Sequence, residues 1–448
     1  LVEQHRMGGE CLNTGCIPSK ALLRSAGVCH LFTRAQEFGL RAAPVEVDFP
    51  ALMQRVRDVI KAVEPHDAAE RYRALGVDCV EGSARLVSPY LVELGGRSIT
   101  ARHIVLATGA RPVVPDIPGL EKLAYLTSET VWSLEQLPQR LLVLGGGPIG
   151  CELAQAFARL GSQVTLVQRN HKLLPQEDDE VSELLAGRLQ AEGVRLLLAS
   201  QVTAFSSHEG CPLAQVEGGA GSCELGFDEV LLALGRKPNT EGLGLEQLGL
   251  PLDASGAPVV NEYLQTAFPS IFACGDLIGP WRFTHMAAFQ AWYASINSLF
   301  GLFRKFRIDY RVVPRITFTA PEVARVGLNE QDARAQGLAC EITRYELADL
   351  DRALTDGETE GFIKVLTVPG KDRILGVSIV ASHASELLGE FTLAMTHGLG
   401  LKKILGTIHV YPTPGEANKY AAGAWQRQHA PVWLYPWLAR FHRWRRGD

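Results

Sequence analysis

"RLLVLGGGPIGCELAQAFARLGSQVTLVQRN", from Arg140 to Asn170, decides the fold. It opens on an unbroken apolar run, Leu141 to Leu144, which reads as a buried strand. Gly145, Gly147 and Gly150 follow in the spacing G-x-G-x-x-G. A helical pattern then continues to Leu160, Gly161 ends it, and a second strand is expected from Gln163 to Gln168. Such a β-α-β unit lets the backbone approach a pyrophosphate, while the helix N-terminus offers it free N–H groups and partial positive charge. A lone glycine pattern is a weak signal. Here the strand before it and the helix and strand after it supply the context that dinucleotide binding requires.

The tip of the second strand selects the nucleotide. A carboxylate there suits the ribose 2′-OH of NAD, whereas a nearby cation suits the 2′-phosphate of NADP. The tip is Gln168 followed by Arg169, with His171 and Lys172 close by and no carboxylate to repel a phosphate. NADPH is therefore the preferred reading and NADH the second. The plain alternative is that Arg169 and Lys172 are solvated surface cations.

Outward from this unit, further buried strands end on Gly/Pro stops. "RHIVLATGARPVVPDIPG" (Arg102 to Gly119) and "FDEVLLALGRKPN" (Phe227 to Asn239) are two, and "PSIFACGDLIG" (Pro269 to Gly279) carries Asp276 at its end, before an Ala-rich helix. A carboxylate there can bind a polyol or cap the helix, and the local sequence leaves both open. From Tyr310 the pattern alternates like antiparallel strands, with helices expected around Ser385 to His397 and Glu416 to Trp425. The reading is α/β: two Rossmann-like dinucleotide-binding domains and a C-terminal α+β domain.

The 448 residues exceed one ordinary domain. With 46% hydrophobic and 21% charged residues and a net charge of −5, the composition is globular and carries no nucleic-acid footprint. No apolar run is long enough to span a bilayer. Nine cysteines are scattered, unlike a secreted disulfide framework. Most read as small buried side chains in a reducing, cytoplasmic compartment.

One pair stands apart. "GGECLNTGCIPSKALL" (Gly8 to Leu23) sets Cys11 and Cys16 five residues apart before a helical run. No second pair lies at zinc-like spacing, so no metal site is expected. A redox dithiol fits better: a helix start and Lys20, one turn on, would lower a thiol pKa.

These segments together resemble the class I pyridine nucleotide-disulfide oxidoreductases, the family of dihydrolipoamide dehydrogenase, glutathione reductase and mercuric reductase. "GGECLNTGCIPSKALL", "VLATGARP", "GGGPIGCELA", "LALGRKPN", "IFACGDLIG", "FTAPEVARVGL" and "IHVYPTPGEANK" occur in the family's order along nearly the whole chain. The resemblance implies FAD, NAD(P)H, an active Cys11–Cys16 disulfide and a homodimer. It makes Cys16 the thiol nearest the flavin and Cys11 the interchange thiol, with Lys20 by the flavin ring and paired to Glu152. Glu3 matches the residue that binds the ribose of FAD's adenosine, and Asp276 the one that binds the ribityl chain. Gly9, Thr108, Gly109, Ala110 and Gly235 complete the implied cofactor-binding set. The implied domains are 1–120 (FAD), 121–238 (NAD(P)), 239–309 (return to FAD), 310–425 (dimerisation) and a tail, 426–448.

Four departures narrow the reading. The glycine-rich FAD fingerprint expected before Glu3 is missing, so the FAD domain is expected to be entered part-way. Glu10 stands where thiol-reducing members often have Thr. Tyr411 stands where dithiol-using members carry a catalytic His, with Glu416 in its usual place; a phenol is a poor base at neutral pH. His409 could replace that base only by local rearrangement. The fourth departure is a tail without the cysteine pair that usually delivers metal in mercuric reductases. Electron transfer from NADPH through FAD and the dithiol to a sulfur or soft-metal substrate, mercuric reductase-like, is the first expectation. An NAD-dependent dihydrolipoamide dehydrogenase is the second, and a flavin-bound redox sensor or an inactive fragment is the non-enzymatic alternative.

The tail adds one more feature. Trp437, Phe441 and Trp444 share a helical face, with Arg440 and Arg443 off its centre. Packing on the protein's own body or a dimer partner is the favoured reading for so short a helix. Peripheral contact with a membrane surface is the other.

Overall fold

The apolar run at Leu141 becomes the middle of a parallel sheet. In a computed structural model, which describes residues 1–41, 45–219 and 221–447, the sheet order is Arg195–Leu197, Gln163–Val167, Arg140–Leu144, Glu229–Leu232 and Leu126–Thr127. Leu141 to Leu144 are all buried, as expected of a strand covered on both faces. The helix Pro148–Leu160 carries proline in its first turn and ends on Gly161, whose φ of 112° closes it in the left-handed region. The second strand stops at Val167, one residue short of the expected Gln168. Gln168 still donates its backbone N–H to the Leu197 carbonyl, at 2.8 Å.

The first of two units contains this sheet and comprises Leu1–Pro175 with Ser182–Tyr310. It also holds the helices Cys16–Thr33, Phe49–Val63 and Thr284–Phe300. Two short parallel pairs belong to it, Val2–Glu3 with Val80–Glu81 and Ile104–Leu106 with Ile271–Ala273. Leu106, Phe272, Leu277 and Ala294 share a core beneath the second pair. An antiparallel ribbon joins Ala110–Pro112 to Arg236–Pro238, so "ATGARP" and "LGRKPN" meet edge to edge.

The second unit comprises Gln176–Val181 and Arg311–Asp448, whose last residue lies outside the described residues. Its antiparallel sheet runs Pro314–Thr317, Glu322–Gly327, Ile374–Ala381, Phe362–Thr367, Glu341–Glu346. One face packs on the helices Ala384–Thr396 and Glu416–Gln428 through Ile363, Ile379, Phe391 and Trp425. The other face carries Arg325 and Lys364, each with a side chain only 1% exposed. Lys364 Nζ lies 2.5 Å from Asp178, 2.5 Å from Glu180 and 2.9 Å from Glu330. Those three carboxylates could by themselves hold a metal ion, and the ammonium sits among them instead.

The tail differs from expectation. It forms a helix, Tyr435–Arg446, but none of its residues is buried. The aromatic face stays largely open, because the chain leaves the core after Trp425 and none of the turn Val432–Leu434 is buried. Among the described residues no helix is long and apolar enough to cross a membrane.

Candidate active site

Cys11 lies in the short helix Gly9–Asn13, and Cys16 is the first residue of the helix Cys16–Thr33. A tight turn links them: Thr14 and Gly15 N–H both donate to the Glu10 carbonyl, at 2.8 and 2.6 Å. Trp132 Nε1 donates to the Thr14 carbonyl at 2.7 Å and pins the turn from outside. Pro18 is tolerated in the helix's first turn because its missing N–H would have no partner there. Neither sulfur is bridged.

The pair is electrically uneven. The hydrogen bond from Cys11 is the largest influence on Cys16 and lowers its thiol to about 6, helped by Thr284 and by the charge of Lys20, against the effect of burial. The same bond, with burial, pushes the Cys11 thiol up. Cys16 is thus the thiolate and Cys11 keeps the proton. Cys16 Sγ and Thr284 Oγ1 are 3.2 Å apart. Thr284 opens the Ala-rich helix, and nothing in its local sequence singled it out. Lys20 Nζ donates to Glu152 Oε2 at 2.9 Å, tying the cysteine helix to the helix Pro148–Leu160.

The partner of Glu10 is the second finding that the sequence hid. The Arg236 guanidinium grips its carboxylate with two N–H groups and also donates to the Ala110 carbonyl. Arg236 Nε is buried without a hydrogen-bond acceptor, 3.7 Å from Asp276 Oδ2. Burial raises the Glu10 carboxyl to about 7, although Arg236 pulls the other way. Burial also raises Asp276. Asp276 lies in the turn Gly275–Leu277, well before the helix at Thr284, so the helix-cap alternative is removed.

The other residues that the resemblance assigns to the cofactor fall in two groups. Thr108 Oγ1 donates to the Asn239 carbonyl at 2.7 Å, and Asn239 Nδ2 returns to the Thr108 carbonyl at 3.0 Å. Gly109 and Gly235 belong to the same crossing of chains, where Asn239 N–H donates to Gly109 and Val113 N–H to Gly235. Glu3 ends its two-residue strand and accepts from His5 N–H at 2.9 Å. Gly9 begins the first cysteine helix.

The glycine turn passes a direct test of fit for a dinucleotide. A Cβ on Gly145 would lie 2.3 Å from the Ala233 carbonyl oxygen, and one on Gly150 would lie 1.9 Å from that of Gly145. Those two positions bring strand, turn and helix together. Gly147, the N-cap of the helix, faces open space, as a pyrophosphate approach demands. Gln168 is buried and its Oε1 accepts from Gly146 N–H at 3.2 Å, bracing the turn from below. Arg169 is exposed and offers its charge at the strand tip. Half-buried Asp276 and the Arg236 Nε, which lacks a hydrogen-bond acceptor, offer an acceptor and a donor of the kind a polyol chain takes.

Tyr411 and Glu416 lie in the second unit. Tyr411 is 63% exposed, and its hydroxyl donates to Asp351 Oδ2 at 3.0 Å. That bond raises the phenol further. Glu416 is buried at the start of the helix Glu416–Gln428 and accepts from the Tyr420 hydroxyl at 3.4 Å. His409 Nε2 lies 3.0 Å from Glu390 Oε1. Among the nine cysteines only Cys151 and Cys274 are buried, fewer than expected. Cys211 is exposed because it starts a strand directly after a hairpin turn.

Comparison with known proteins adds the following. The family described as pyridine nucleotide-disulphide oxidoreductase matches residues 1–291, and its dimerisation domain matches residues 313–422. A mercuric reductase of Streptomyces lividans is 35% identical over 428 residues, covering 94% of this chain and 90% of its own. A dihydrolipoyl dehydrogenase of Chlamydia pneumoniae is 33% identical over 440 residues, covering 97% and 93%. Among solved structures, the Cu(II) complex of the HOCl-induced flavoprotein disulfide reductase RclA from Escherichia coli is similar. It shows 29% identity and a TM-score of 0.84 over 94% of this chain and 92% of that one.

Proposed function

The chain belongs to the pyridine nucleotide-disulphide oxidoreductases, enzymes that use FAD and NAD(P)H, and from that premise we propose an NADPH-dependent reductase whose Cys11–Cys16 dithiol delivers electrons to a soft-metal or disulfide substrate. The observation that carries it is the polarised pair: Cys16 ionised near neutral pH, Cys11 still a thiol, both unbridged at a helix start. Bound FAD would supply the two-electron link between the nicotinamide and the dithiol. Cys11, Thr284 and Lys20 favour the Cys16 sulfur as an anion, and Glu152, whose own charge opposes that anion, holds Lys20; Asp276 and Arg236 would orient the ribityl chain. Glu3, Gly9, Thr108, Gly109, Ala110 and Gly235 would line the same cofactor, and Gly145, Gly147, Gly150 and Arg169 the nicotinamide nucleotide.

With a disulfide substrate, Cys11 gives up its proton and attacks one sulfur, expelling a thiolate. Cys16 then attacks Cys11 Sγ, releases the second thiolate and leaves the Cys11–Cys16 disulfide. Two electrons have moved from the dithiol to the substrate. With a soft metal ion, the two sulfurs serve as ligands, which such ions prefer. Tyr411 supports the metal reading over a dithiol one, since a phenol raised further by Asp351 is ill suited to shuttle a proton. Tyr411 and Glu416 are proposed to act on the substrate side. The domain limits 1–120, 121–238, 239–309 and 310–425 remain part of this reading.

The test is NADPH-dependent reduction of Hg(II) by the flavin-loaded protein. Cys11→Ser should lower it ~100-fold or more; unchanged reduction would overturn the reading. The dihydrolipoyl dehydrogenase relatives support a second reading, in which dihydrolipoamide reduces NAD. Rapid turnover of that pair by the wild-type protein would establish it in place of the first.

A further inference from the structure

The redox chemistry has no use for the helix Tyr435–Arg446, and its surface has a chemistry of its own. Trp437 is 64% exposed, Phe441 48% and Trp444 74%, and Trp433, just ahead of the helix, is 72% exposed. At about 100° per residue, Trp437, Phe441 and Trp444 form one face. Arg440 and Arg445 border it on either side, while Arg443, Arg446 and His442 occupy the far side. No acidic residue lies between Arg427 and Gly447, although the chain as a whole carries −5. The positive charge is therefore local to this segment.

A helix of 12 residues gains little from its own hydrogen bonds, and a covered apolar face is what normally holds so short a helix. The protein's body does not cover it, since no residue of the helix is buried. A second copy is a poor cover: pairing two such helices through this face would set the bordering Arg440 and Arg445 of one against those of the other, and the match to the dimerisation domain ends at residue 422. An anionic lipid surface complements every feature. Tryptophan and phenylalanine settle at the headgroup level, bordering arginines reach lipid phosphates, and a helix too short to cross can lie flat.

We propose that the helix Tyr435–Arg446 is an in-plane anchor for anionic membrane surfaces, with Trp437, Phe441 and Trp444 in the headgroup–acyl boundary and the bordering Arg440 and Arg445 on lipid phosphates. This surface is independent of the substrate reading. It would place a reductase on a bilayer without involving the dithiol.

Flotation of the flavin-loaded full chain with vesicles tests it. Phosphatidylcholine vesicles containing phosphatidylglycerol should carry the protein up, pure phosphatidylcholine vesicles should not, and added salt should release it. The double variants Trp437→Ser/Trp444→Ser and Arg440→Glu/Arg445→Glu should each weaken binding at least ~10-fold, and Arg440→Lys/Arg445→Lys should retain it. Flavin content, NADPH oxidation and sedimentation coefficient should not change in any of them. Failure of the wild type to float with anionic vesicles at low salt overturns the proposal. So does undiminished binding by both double variants, which would move the contact elsewhere. Loss of dimers in the tryptophan variant would also overturn it, by assigning the face to a second copy.

Discussion

At the Cys16 sulfur three independent groups favour one charge state: the Cys11 thiol, the Thr284 hydroxyl and the Lys20 ammonium. The reduced protein should therefore react with iodoacetamide at Cys16 with a pH midpoint near 6. Lys20→Met should raise that midpoint by roughly one unit, because an opposite charge has been removed; Thr284→Val should raise it too. A midpoint unmoved in both variants would mean that neither group acts on the sulfur. Glu10 behaves in the opposite sense. Its folded carboxyl is raised from 4.5 to about 7, so the stability it contributes is full below 4.5 and lost as pH rises through about 7. Glu10→Gln should flatten the stability profile across that window, by on the order of 2 kcal/mol, in urea unfolding followed at several pH values. The cysteines, Lys20 and Glu152 were legible because they stand in matching motifs. Thr284 and Arg236 were not: their partners are 268 and 226 residues away in the chain, and no local pattern encodes a contact that folding creates. The departure at Glu10 was visible, but its partner was not.

At the scale of elements, the β-α-β unit was readable almost residue by residue, since buried strands and a glycine turn leave local signatures. At the tip of the second strand the Gln168 amide braces the turn beneath Gly146, which leaves Arg169 as the exposed group. Arg169→Ala should weaken NADPH binding by about 10-fold, the worth of a charge-assisted hydrogen bond, and leave NADH binding unchanged. Equal loss for both nucleotides would remove Arg169 from the 2′-phosphate. The glycines give a contrast within one turn. Gly150→Ala would force a Cβ against the Gly145 carbonyl oxygen and should cost roughly 2–3 kcal/mol of stability. Gly147→Ala meets open space and should leave stability within about 0.5 kcal/mol while lowering affinity for the nucleotide. Thermal melts paired with nucleotide titration separate the two effects.

At the scale of the whole molecule, two units carry separate cores, and the second shows what alternation alone could not reveal. "GFIKVLTV" alternates like a strand with one wet face, yet Phe362–Thr367 is buried throughout. The carboxylates of Glu177, Asp178, Glu180, Glu330 and Asp332 cover Arg325 and Lys364, and they come from two distant stretches of chain. Burial alone would lower the Lys364 ammonium, but hydrogen bonds to Asp178, Glu180 and Glu330 outweigh it and raise it. Lys364→Met would leave three carboxylates facing one another and should cost about 3–5 kcal/mol, seen as earlier unfolding of this unit by hydrogen exchange. The same unit bears the match to the dimerisation domain, so its stability is linked to concentration as well as to contacts. For a dimer, each tenfold rise in protein concentration should favour the folded state by about 1.4 kcal/mol and raise the thermal midpoint. In Lys364→Met every midpoint should fall and the dependence on concentration should persist, because the cluster stabilises the unit from within. A wild-type midpoint independent of concentration would mean that this chain unfolds as a monomer, and the dimeric reading would fall with it.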